Sequence, residues 1–368
     1  MKRFFLAALA IAAIASCAKN EVNEVTDNNQ ITFQTVVGPN TKALIDGTNY
    51  TDPSFGTFAY YNANTNTTPV ETFPTNAELY IPESMVSYSD SESNWTTTTP
   101  YYWPKNGSLT FFSYSPYTIE SKVECDKSNG ITISEYDVAS AQDVDVMVAD
   151  VKTGQTENGS NGGYKGVPTI FRHKLSQIVD ITFVTDKDYQ KADGNSGAPF
   201  AAGDKQFFIN YVKVNKLEQT GTYVSGNNVN ETNLGTWTLP TTPAYDHNYD
   251  WFTEGSSCDT EFKFTTATSA NTMSHILMIP QTYVDDVDPT KVSNVEIQYT
   301  IRTYTSASAS SDDVVTANVS MYDIFKGTSN ALAMNKKVTL NFTIGVNQIY
   351  WAPSVEVWGT ATGAASIN

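Results

Sequence analysis

The side chains that most often carry catalysis or bind metals are few and scattered in this chain. Acidic pairs occur at positions 143 and 145, 285 and 286, and 312 and 313, but none lies in a loop with the glycine and terminal glutamate of an EF-hand. The sequence contains no GxSxG, HExxH or glycine-rich phosphate-binding motif. The chain has three histidines, His173, His247 and His275. None of them has a ligand-like spacing to cysteine, aspartate or glutamate. We therefore predict no enzymatic activity, no metal and no cofactor, although loop carboxylates leave calcium binding and glycoside hydrolysis as alternatives.

One basic residue has an unusual position. Lys42 is the only lysine or arginine between Lys19 and Lys105, in a chain with 39 acidic and 22 basic residues. It follows a segment that alternates like a strand, ITFQTVV at 31–37, and the turn residues Gly38 and Pro39. A loop lysine can be an ordinary surface residue or the recognition residue of a protease, and the rest of the sequence must decide between these two interpretations.

The charge balance excludes two classes of partner. The formal net charge is −17, and the chain has only three arginines. Binding to nucleic acid or to an anionic lipid surface requires clustered lysine and arginine. We therefore expect no nucleic-acid partner and no electrostatic attachment to a membrane.

The N-terminal segment predicts export and lipidation. Lys2 and Arg3 precede the apolar run FFLAALAIAAIA at 4–15, which is too short to span a bilayer but fits a signal peptide over residues 1–16. The following IASC at 14–17 resembles the lipobox of bacterial lipoproteins, in which the cysteine is diacylated. Cys17 would then anchor the protein in a membrane through a tether at 17–30. The alternative is an ordinary signal peptide that places a cysteine near its cleavage site.

The remaining chain has the pattern of an all-β protein. Alternating or continuous β-rich runs, separated by Gly, Asn, Asp, Pro and Ser clusters, occur at 31–37, 57–61, 109–114, 131–133, 144–149, 178–184, 207–214, 236–239, 262–265, 276–279, 295–304, 314–319, 338–344 and 355–358. We predict antiparallel β-sandwiches. The Gly- and Asn-rich stretch that ends at Gly166 suggests a linker between an N-terminal domain, 31–166, and a C-terminal domain, 167–368.

An aromatic-rich segment, YYWPKNGSLTFFSYSPY at 101–117, allows two interpretations. Its aromatic side chains could form a stacking platform for sugars, or they could fill a sandwich core. Because the segment alternates and is flanked by turns, we favour a core that contains Trp103, Phe111 and Tyr114.

Five segments, taken in order along the chain, resemble the fimbrillin family of lipoprotein pilins (type V pilins) from Gram-negative anaerobes. They are YYWPKNGSLTFFSYSPY (101–117), DVMVAD (145–150), VPTIFRHKLSQIVDITF (167–183), ILMIPQ (276–281) and NKKVTLNFTIGVNQIYWAPSVEVW (335–358). The resemblance spans nearly the whole chain after the signal peptide. No single segment carries invariant chemistry, so the resemblance rests on their order and on the lipobox.

The resemblance implies an architecture and an assembly mechanism. The architecture is two tandem transthyretin-like β-sandwich domains. In the mechanism, the lipidated precursor reaches the cell surface, an Arg- or Lys-specific protease cuts after the first strand, and a strand of another subunit fills the groove. By position, the cut falls between Lys42 and Ala43. The strand that leaves would carry one row of side chains into the groove: Ile31, Phe33, Thr35 and Val37.

The expected function is therefore a structural and adhesive fimbrial subunit of the outer membrane, with other fimbrial subunits, a processing protease and a host or bacterial surface ligand as partners. The C-terminal sequence leaves its position in the fibre open. After Trp358 only GTATGAASIN follows, so either the segment 346–358 swings out as a donor strand, or the protein is a tip or accessory pilin that only accepts a strand. The alternative function is a surface lipoprotein that binds glycans.

Overall fold

The structure is a computed structural model in which nearly every regular element is a strand. It describes residues 29–37, 52–63, 76–91, 94–157, 166–185, 200–242, 244–258, 261–263, 273–285, 292–344 and 349–357. No helix in these ranges is long and apolar enough to cross a membrane.

The strands of the first half are β1 Thr32–Val37, β2 Ser54–Asn62, β3 Glu78–Ser89, β4 Asn94–Thr97, β5 Ser108–Ser115, β6 Val123–Asp126, β7 Gly130–Asp137, β8 Met147–Ala149, β9 Lys152–Gln155 and β10 Val167–His173. Those of the second half are β11 Ser176–Thr185, β12 Lys205–Leu217, β13 Thr220–Val224, β14 Thr236–Thr238, β15 His247–Cys258, β16 Glu261–Lys263, β17 Ile276–Met278, β18 Gln281–Thr282, β19 Asn294–Ser306, β20 Ala309–Ser320, β21 Ala331–Leu332, β22 Lys336–Ile344 and β23 Ile349–Val357. One α-helix, α1 Met321–Phe325, and two short 3₁₀ helices, Tyr117–Lys122 and Ala139–Ala141, complete the described elements.

Seven strands of the first half form a closed ring, which we call the closed sheet. The order of pairing is β2, β3, β4, β1, β10, β8 and β5, and β5 pairs again with β2, while β9 extends from β5. Closure removes the free strand edges that an open sheet would present. The first strand, β1, is one of the seven members on which this closure depends.

The closed sheet has a core on each side of its wall. Along β5, Leu109 and Phe111 point into an inner cluster, whereas Phe112 and Tyr114 point into an outer one. Although its sequence alternates in part, β5 is buried continuously from Leu109 to Ser115, as expected for a strand with a core on both faces. The inner cluster contains Ile31, Phe33, Phe55, Ala59, Ile81, Val86, Trp95, Trp103, Leu109, Phe111, Met147, Ala149, Val167 and Phe171.

Two further sheets of the second half share a separate core. One contains β16, β11, β22 and β23 in that order, with β17 also paired to β11, and the other contains β15, β12, β19 and β20. Alternate residues of β22, namely Val338, Leu340, Phe342 and Ile344, are buried against side chains of the second sheet, such as Ile297. This alternation, with one buried and one solvated face, is typical of a sheet that covers a core.

A fourth sheet joins the two halves. Its order is β14, β13, β7 and β6, so two strands from each half pair through β13 and β7. The outer cluster of the closed sheet likewise includes residues from the second half, among them Leu175, Tyr223 and Leu277. The halves are therefore connected by both backbone pairing and side-chain packing.

The prediction of an all-β protein is confirmed, and most strand pairs are antiparallel as expected. Two pairs are parallel, β1 with β10 and β11 with β22, which the antiparallel prediction did not include. The interpretation of the aromatic segment as core is correct, because Trp103, Phe111 and Tyr114 are at most 8% exposed. The domain limits 31–166 and 167–368 remain a prediction.

Candidate functional site: the first strand and its slot

The first strand lies between two strands that are distant in sequence. It pairs antiparallel with β4, with Thr32 opposite Thr96 and Phe33 opposite Trp95. On its other side it pairs in parallel with β10 over five positions, from Phe33 opposite Val167 to Val37 opposite Phe171. We call the space between β4 and β10 that β1 fills the β1 slot.

The residues just before β1 are also held by backbone hydrogen bonds. The N–H of Ile31 donates to the carbonyl of Tyr101 at 2.8 Å, and the N–H of Trp103 donates to the carbonyl of Asn29 at 3.0 Å. Gln30 forms an isolated bridge with Tyr102. The fixed segment therefore begins before β1, and the slot extends along the aromatic segment at 101–103.

Two side chains of the predicted inward row fill the inside of the closed sheet. Ile31 is 0% exposed and Phe33 is 1% exposed. The ring of Phe33 meets those of Phe55 and Phe111 edge to face, with 5.7 Å between ring centroids in each case. Aromatic pairs in this geometry add about 0.5–1.5 kcal/mol each to the free energy of area burial.

Loss of β1 would open the closed sheet in a defined way. The facing edges of β4 and β10 would each present a row of unpaired N–H and C=O groups, because in the described structure β1 provides the hydrogen-bonding partner on those sides. The apolar side chains that contact Phe33 would face the opening. Such an edge with an apolar furrow is a template for the addition of another strand.

The β10 wall of the slot is fastened independently of β1. Directly after the last residue pair with β1, the guanidinium of Arg172 donates to both carboxylate oxygens of Asp150, at 2.6 and 3.0 Å. Both side chains are about nine-tenths buried or more, at 7% and 10% exposed. Asp150 directly follows β8, so this two-bond ion pair ties β10 to its other neighbour. This ion pair holds the β10 wall through contacts that do not involve β1.

A glycine allows the chain to enter β10 close to β1. Gly166 has a φ of +121°, and a Cβ at this position would lie 2.7 Å from the carbonyl oxygen of Thr32. Any other residue would therefore be strained in its backbone and would collide with β1. Gly166 was predicted only to end a linker, whereas in the structure it packs closely against Thr32 at the β1 slot.

A buried lysine lies just beyond the slot. Lys174 is 0% exposed, and its Nζ donates to the carbonyl of Leu234 at 3.2 Å. Burial lowers the pKa of Lys174 from 10.5 to about 7, while Asp150 acts in the opposite direction and Arg172 adds to the lowering. The ring of Tyr223 lies 5.7 Å from the ammonium nitrogen. The end of β10 is thus joined to the loop that follows β13.

The predicted site residues fall into three groups in the structure. Cys17, Lys42 and Ala43 lie outside the described residues, so lipidation and processing remain predictions. Thr35 and Val37 are paired with β10 through their backbones, but their side chains are outside the described part. Ile31 and Phe33 are buried together in the inner cluster.

The sequence analysis missed the residues that form the long wall of the slot. Most of β10, VPTIFRH, is buried on both faces, with only Ile170 partly exposed. A short continuous apolar run before a buried charge is typical of a central strand. Residues 167–171 carry this signal, but they contributed only to the family resemblance and no strand was predicted there.

The C-terminal strand β23 lies at the edge of its sheet. It pairs antiparallel with β22 over nine positions and, within the described residues, with no other strand. Trp351 and Val355 stand opposite the buried Phe342 and Val338 and therefore point to the same face, yet they are 38% and 39% exposed. The strand thus carries an uncovered apolar row.

Several of the histidines and paired acidic residues form local contacts. His173 Nδ1 lies 2.5 Å from a carboxylate oxygen of Asp145, and Asp312 accepts two hydrogen bonds from Arg302 at 2.7 Å. His275 Nε2 lies 2.7 Å from the carbonyl oxygen of Gln142. Within the residues that the structure describes, no group of three His, Cys, Asp or Glu side chains could hold a metal ion.

Comparison with known proteins agrees with this architecture. A family model described as fimbrillin-like matches residues 18–358. A fimbrial protein from Bacteroides vulgatus has a similar structure, with a TM-score of 0.55 and 19% sequence identity over 90% of this chain and 100% of that chain, which shows a shared fold. The C-terminally truncated tip fimbrial protein Mfa3 from Porphyromonas gingivalis aligns with a TM-score of 0.39 and 9% identity, over 83% of this chain and 94% of that chain. No curated protein is detectably similar. Because the family model covers most of the sequence, this chain belongs to the fimbrillin-like family.

Proposed function

We propose that this protein is a structural and adhesive fimbrial subunit that is exported as a lipoprotein and assembles by strand exchange. Family membership supports a fimbrial role at the cell surface. The observation that carries strand exchange is the position of β1 as one member of a closed ring, where its removal leaves two strand edges and an apolar furrow. In this proposal the protein performs no catalytic step of its own.

Before assembly, β1 acts as an internal placeholder. Cys17 carries the acyl chains that hold the precursor in the outer membrane. While β1 occupies the slot, no strand of another subunit can enter, so the precursor remains monomeric. An Arg- or Lys-specific protease then cuts between Lys42 and Ala43, five residues after β1 ends at Val37.

A single substitution at the cleavage site tests this proposal. Lys42→Gln removes the only basic residue between positions 19 and 105 without changing the closed sheet. We expect wild-type protein sheared from cells to begin at Ala43 and to be part of fibres, whereas the variant begins at Cys17 and is not incorporated into fibres. Mass spectrometry and electron microscopy measure the two results. Lys105→Gln, at an exposed lysine after the slot, is the matched control and should behave as wild type. A mature wild-type protein that still begins at Cys17 would refute the processing step.

The position of the subunit in the fibre depends on β23. Its place at a sheet edge and its exposed Trp351 and Val355 support release of this strand to another subunit. Its nine paired positions with β22 support retention, which would make the protein a tip or accessory subunit that only accepts a strand. We favour the tip or accessory role, because all nine described residues of β23 are paired with β22.

We also propose that the two sheet systems are tandem β-sandwich domains of the transthyretin-like type. Two of the core clusters are consistent with this division, since one draws on residues 31–171 and the other on residues 178–344. Because β10 pairs with β1 and β8, a fragment meant to represent the first domain should extend past His173 rather than stop at residue 166.

A further inference from the structure

A surface pocket lies between β14 and the two-stranded ribbon of β18 and β21. Its volume is about 330 Å³. Eight residues line it, and we call it the Trp237 pocket: Trp237, Leu239, Pro280, Gln281, Thr282, Ala331, Leu332 and Ala333. None of these residues belongs to the closed sheet, so the pocket is separate from the β1 slot.

The indole of Trp237 is fixed by contacts with residues that do not line the pocket. Its Nε1–H donates to the carbonyl of Lys174 at 2.6 Å, and the ring packs against Tyr223 and Tyr136 at centroid distances of 5.5 and 6.2 Å. Gly221 makes room for it, because a Cβ there would lie 3.2 Å from Cε3 of the indole. A wall fixed in this way loses little conformational entropy when a ligand binds.

The pocket has no charged group. None of its eight lining residues is ionisable, although the whole chain has a net charge of −17. The carboxamide of Gln281 is already engaged: it accepts from the N–H of Glu218 and donates to the carbonyls of Glu218 and Ile279. The lining therefore offers neither an acid or base for catalysis nor a counter-ion, and it suits an uncharged ligand.

The polar groups available to a ligand lie at strand edges. β14 is the edge strand of its sheet, and β18 and β21 pair with each other in a ribbon of two strands. Edge strands present N–H and C=O groups to solvent. A ligand in the pocket would thus have an apolar ring on one side and, at the edge of β14 and at the exposed Thr282, groups that can form hydrogen bonds. A sugar ring matches this arrangement, since its C–H face can cover an indole while its hydroxyl groups reach polar neighbours.

We propose that the Trp237 pocket binds one neutral sugar ring at the end of a glycan chain. Its volume lies at the small end of the range of roughly 300–1,000 Å³ for ligand pockets, which suits a single ring better than a long oligosaccharide. A ligand of this size should bind with a dissociation constant on the order of 1 mM. Strong adhesion would then arise from many fibres of one cell acting together.

The test uses the full mature chain and a panel of methyl glycosides of neutral hexoses and N-acetylhexosamines, observed by saturation-transfer difference NMR. Ala333 is exposed at the rim, so Ala333→Trp should fill the pocket without entering the core. We expect at least one glycoside to bind wild type and to lose at least about tenfold in affinity in this variant. Ala309→Trp, which makes the same change at an exposed alanine of β20, is the matched control and should bind as wild type.

Several outcomes would overturn this inference. One is that wild type binds no glycoside of the panel at about 10 mM, roughly ten times the expected dissociation constant. Equal binding by Ala333→Trp would place the sugar elsewhere. Binding of N-acetyltryptophan amide in place of sugars, with loss in the variant, would instead indicate a protein partner. If Ala333→Trp misfolds by circular dichroism, Thr282→Tyr fills the same pocket from another exposed rim position. Filament formation should be unaffected by either variant, which separates this inference from the proposed strand exchange.

Discussion

At the scale of single residues, the charged side chains near the end of β10 affect the stability of the wall of the β1 slot. Arg172 and Asp150 satisfy each other through two hydrogen bonds, so burying this pair leaves no isolated charge. Lys174 has no carboxylate at hydrogen-bond distance among its described contacts and instead donates to a backbone carbonyl. The folded protein therefore holds the ammonium form of Lys174 at a cost in free energy.

This cost makes stability depend on pH in a predictable direction. The pKa of Lys174 is about 7 in the folded protein and 10.5 in an unfolded chain, so between these values the unfolded state binds more protons. The free energy of unfolding should then rise with pH, by up to about 1.4 kcal/mol per unit from this residue. The pKa of Tyr223, beside it, is raised well above 10 by burial, so this tyrosine lowers stability only as the pH approaches 10, and wild type and a Lys174 variant share that effect.

Lys174→Met should remove this rise. Urea unfolding at pH 7, 8, 9 and 10 measures the slope in wild type and variant, and methionine keeps most of the side-chain volume. Lys213→Met is the matched control, because Lys213 is 37% exposed and paired with Asp250 at 3.3 Å. It should leave the slope as in wild type. An equal slope in wild type and Lys174→Met would contradict the role assigned to Lys174.

At the scale of elements, the sequence predicts which residues form strands better than it predicts which strands pair with each other. Alternation located β1 within one residue, and β22 and β12 within a few residues, because one-sided burial imposes a period of two. It missed β3, ELYIPESMVSYS, where Ile81 and Val86 are the only fully buried residues among polar ones and a proline interrupts the run. Pairing of β1 with β10 could not be predicted at all, since the partners lie more than 130 residues apart and no local pattern links them.

The exposed apolar row of β23 gives a test of whether this strand donates. Trp351→Glu together with Val355→Glu should lower the free energy of unfolding of the monomer by about 1–3 kcal/mol and leave it folded, because both side chains are more than a third exposed. In the β1 slot of another subunit the same positions would be buried, and burying an unpaired carboxylate there would cost several kcal/mol. Donation by β23 therefore predicts that protease-treated variant forms no filaments.

The control for this test is on the opposite face of the same strand. Ser354→Glu introduces a charge at an exposed position whose side chain points away from the apolar row, so filaments should persist. If filaments or mixed fibres also persist in the Trp351 and Val355 variant, β23 does not donate. If the protease-treated wild type forms no filaments alone, the protein only accepts a strand, as the tip or accessory role requires.

At the scale of the whole molecule, pairing between strands that are distant in sequence determines features that the sequence alone does not predict. The fourth sheet unites β6 and β7 with β13 and β14, and the outer cluster contains residues from 58 to 279. Composition predicted a linker near Gly166, but composition reports local turn chemistry and carries no information on which strands meet across it. The Trp237 pocket was equally invisible in the sequence, because its walls come from three segments between 237 and 333.

The net charge of the chain predicts how assembly responds to salt. Every subunit carries a formal charge of about −17, so two subunits repel each other as they approach. The Debye length falls from about 30 Å at 10 mM salt to about 10 Å at 100 mM, which screens this repulsion. If an apolar strand entering the slot drives assembly, filament growth after treatment with a lysine-specific protease should be faster at 100 mM than at 10 mM NaCl. Light scattering measures the growth rate, and thermal unfolding of the uncleaved monomer at the same two salt concentrations controls for effects on stability. Slower growth at higher salt would instead show that patches of opposite charge bring the subunits together, and the apolar furrow would no longer account for recognition between them.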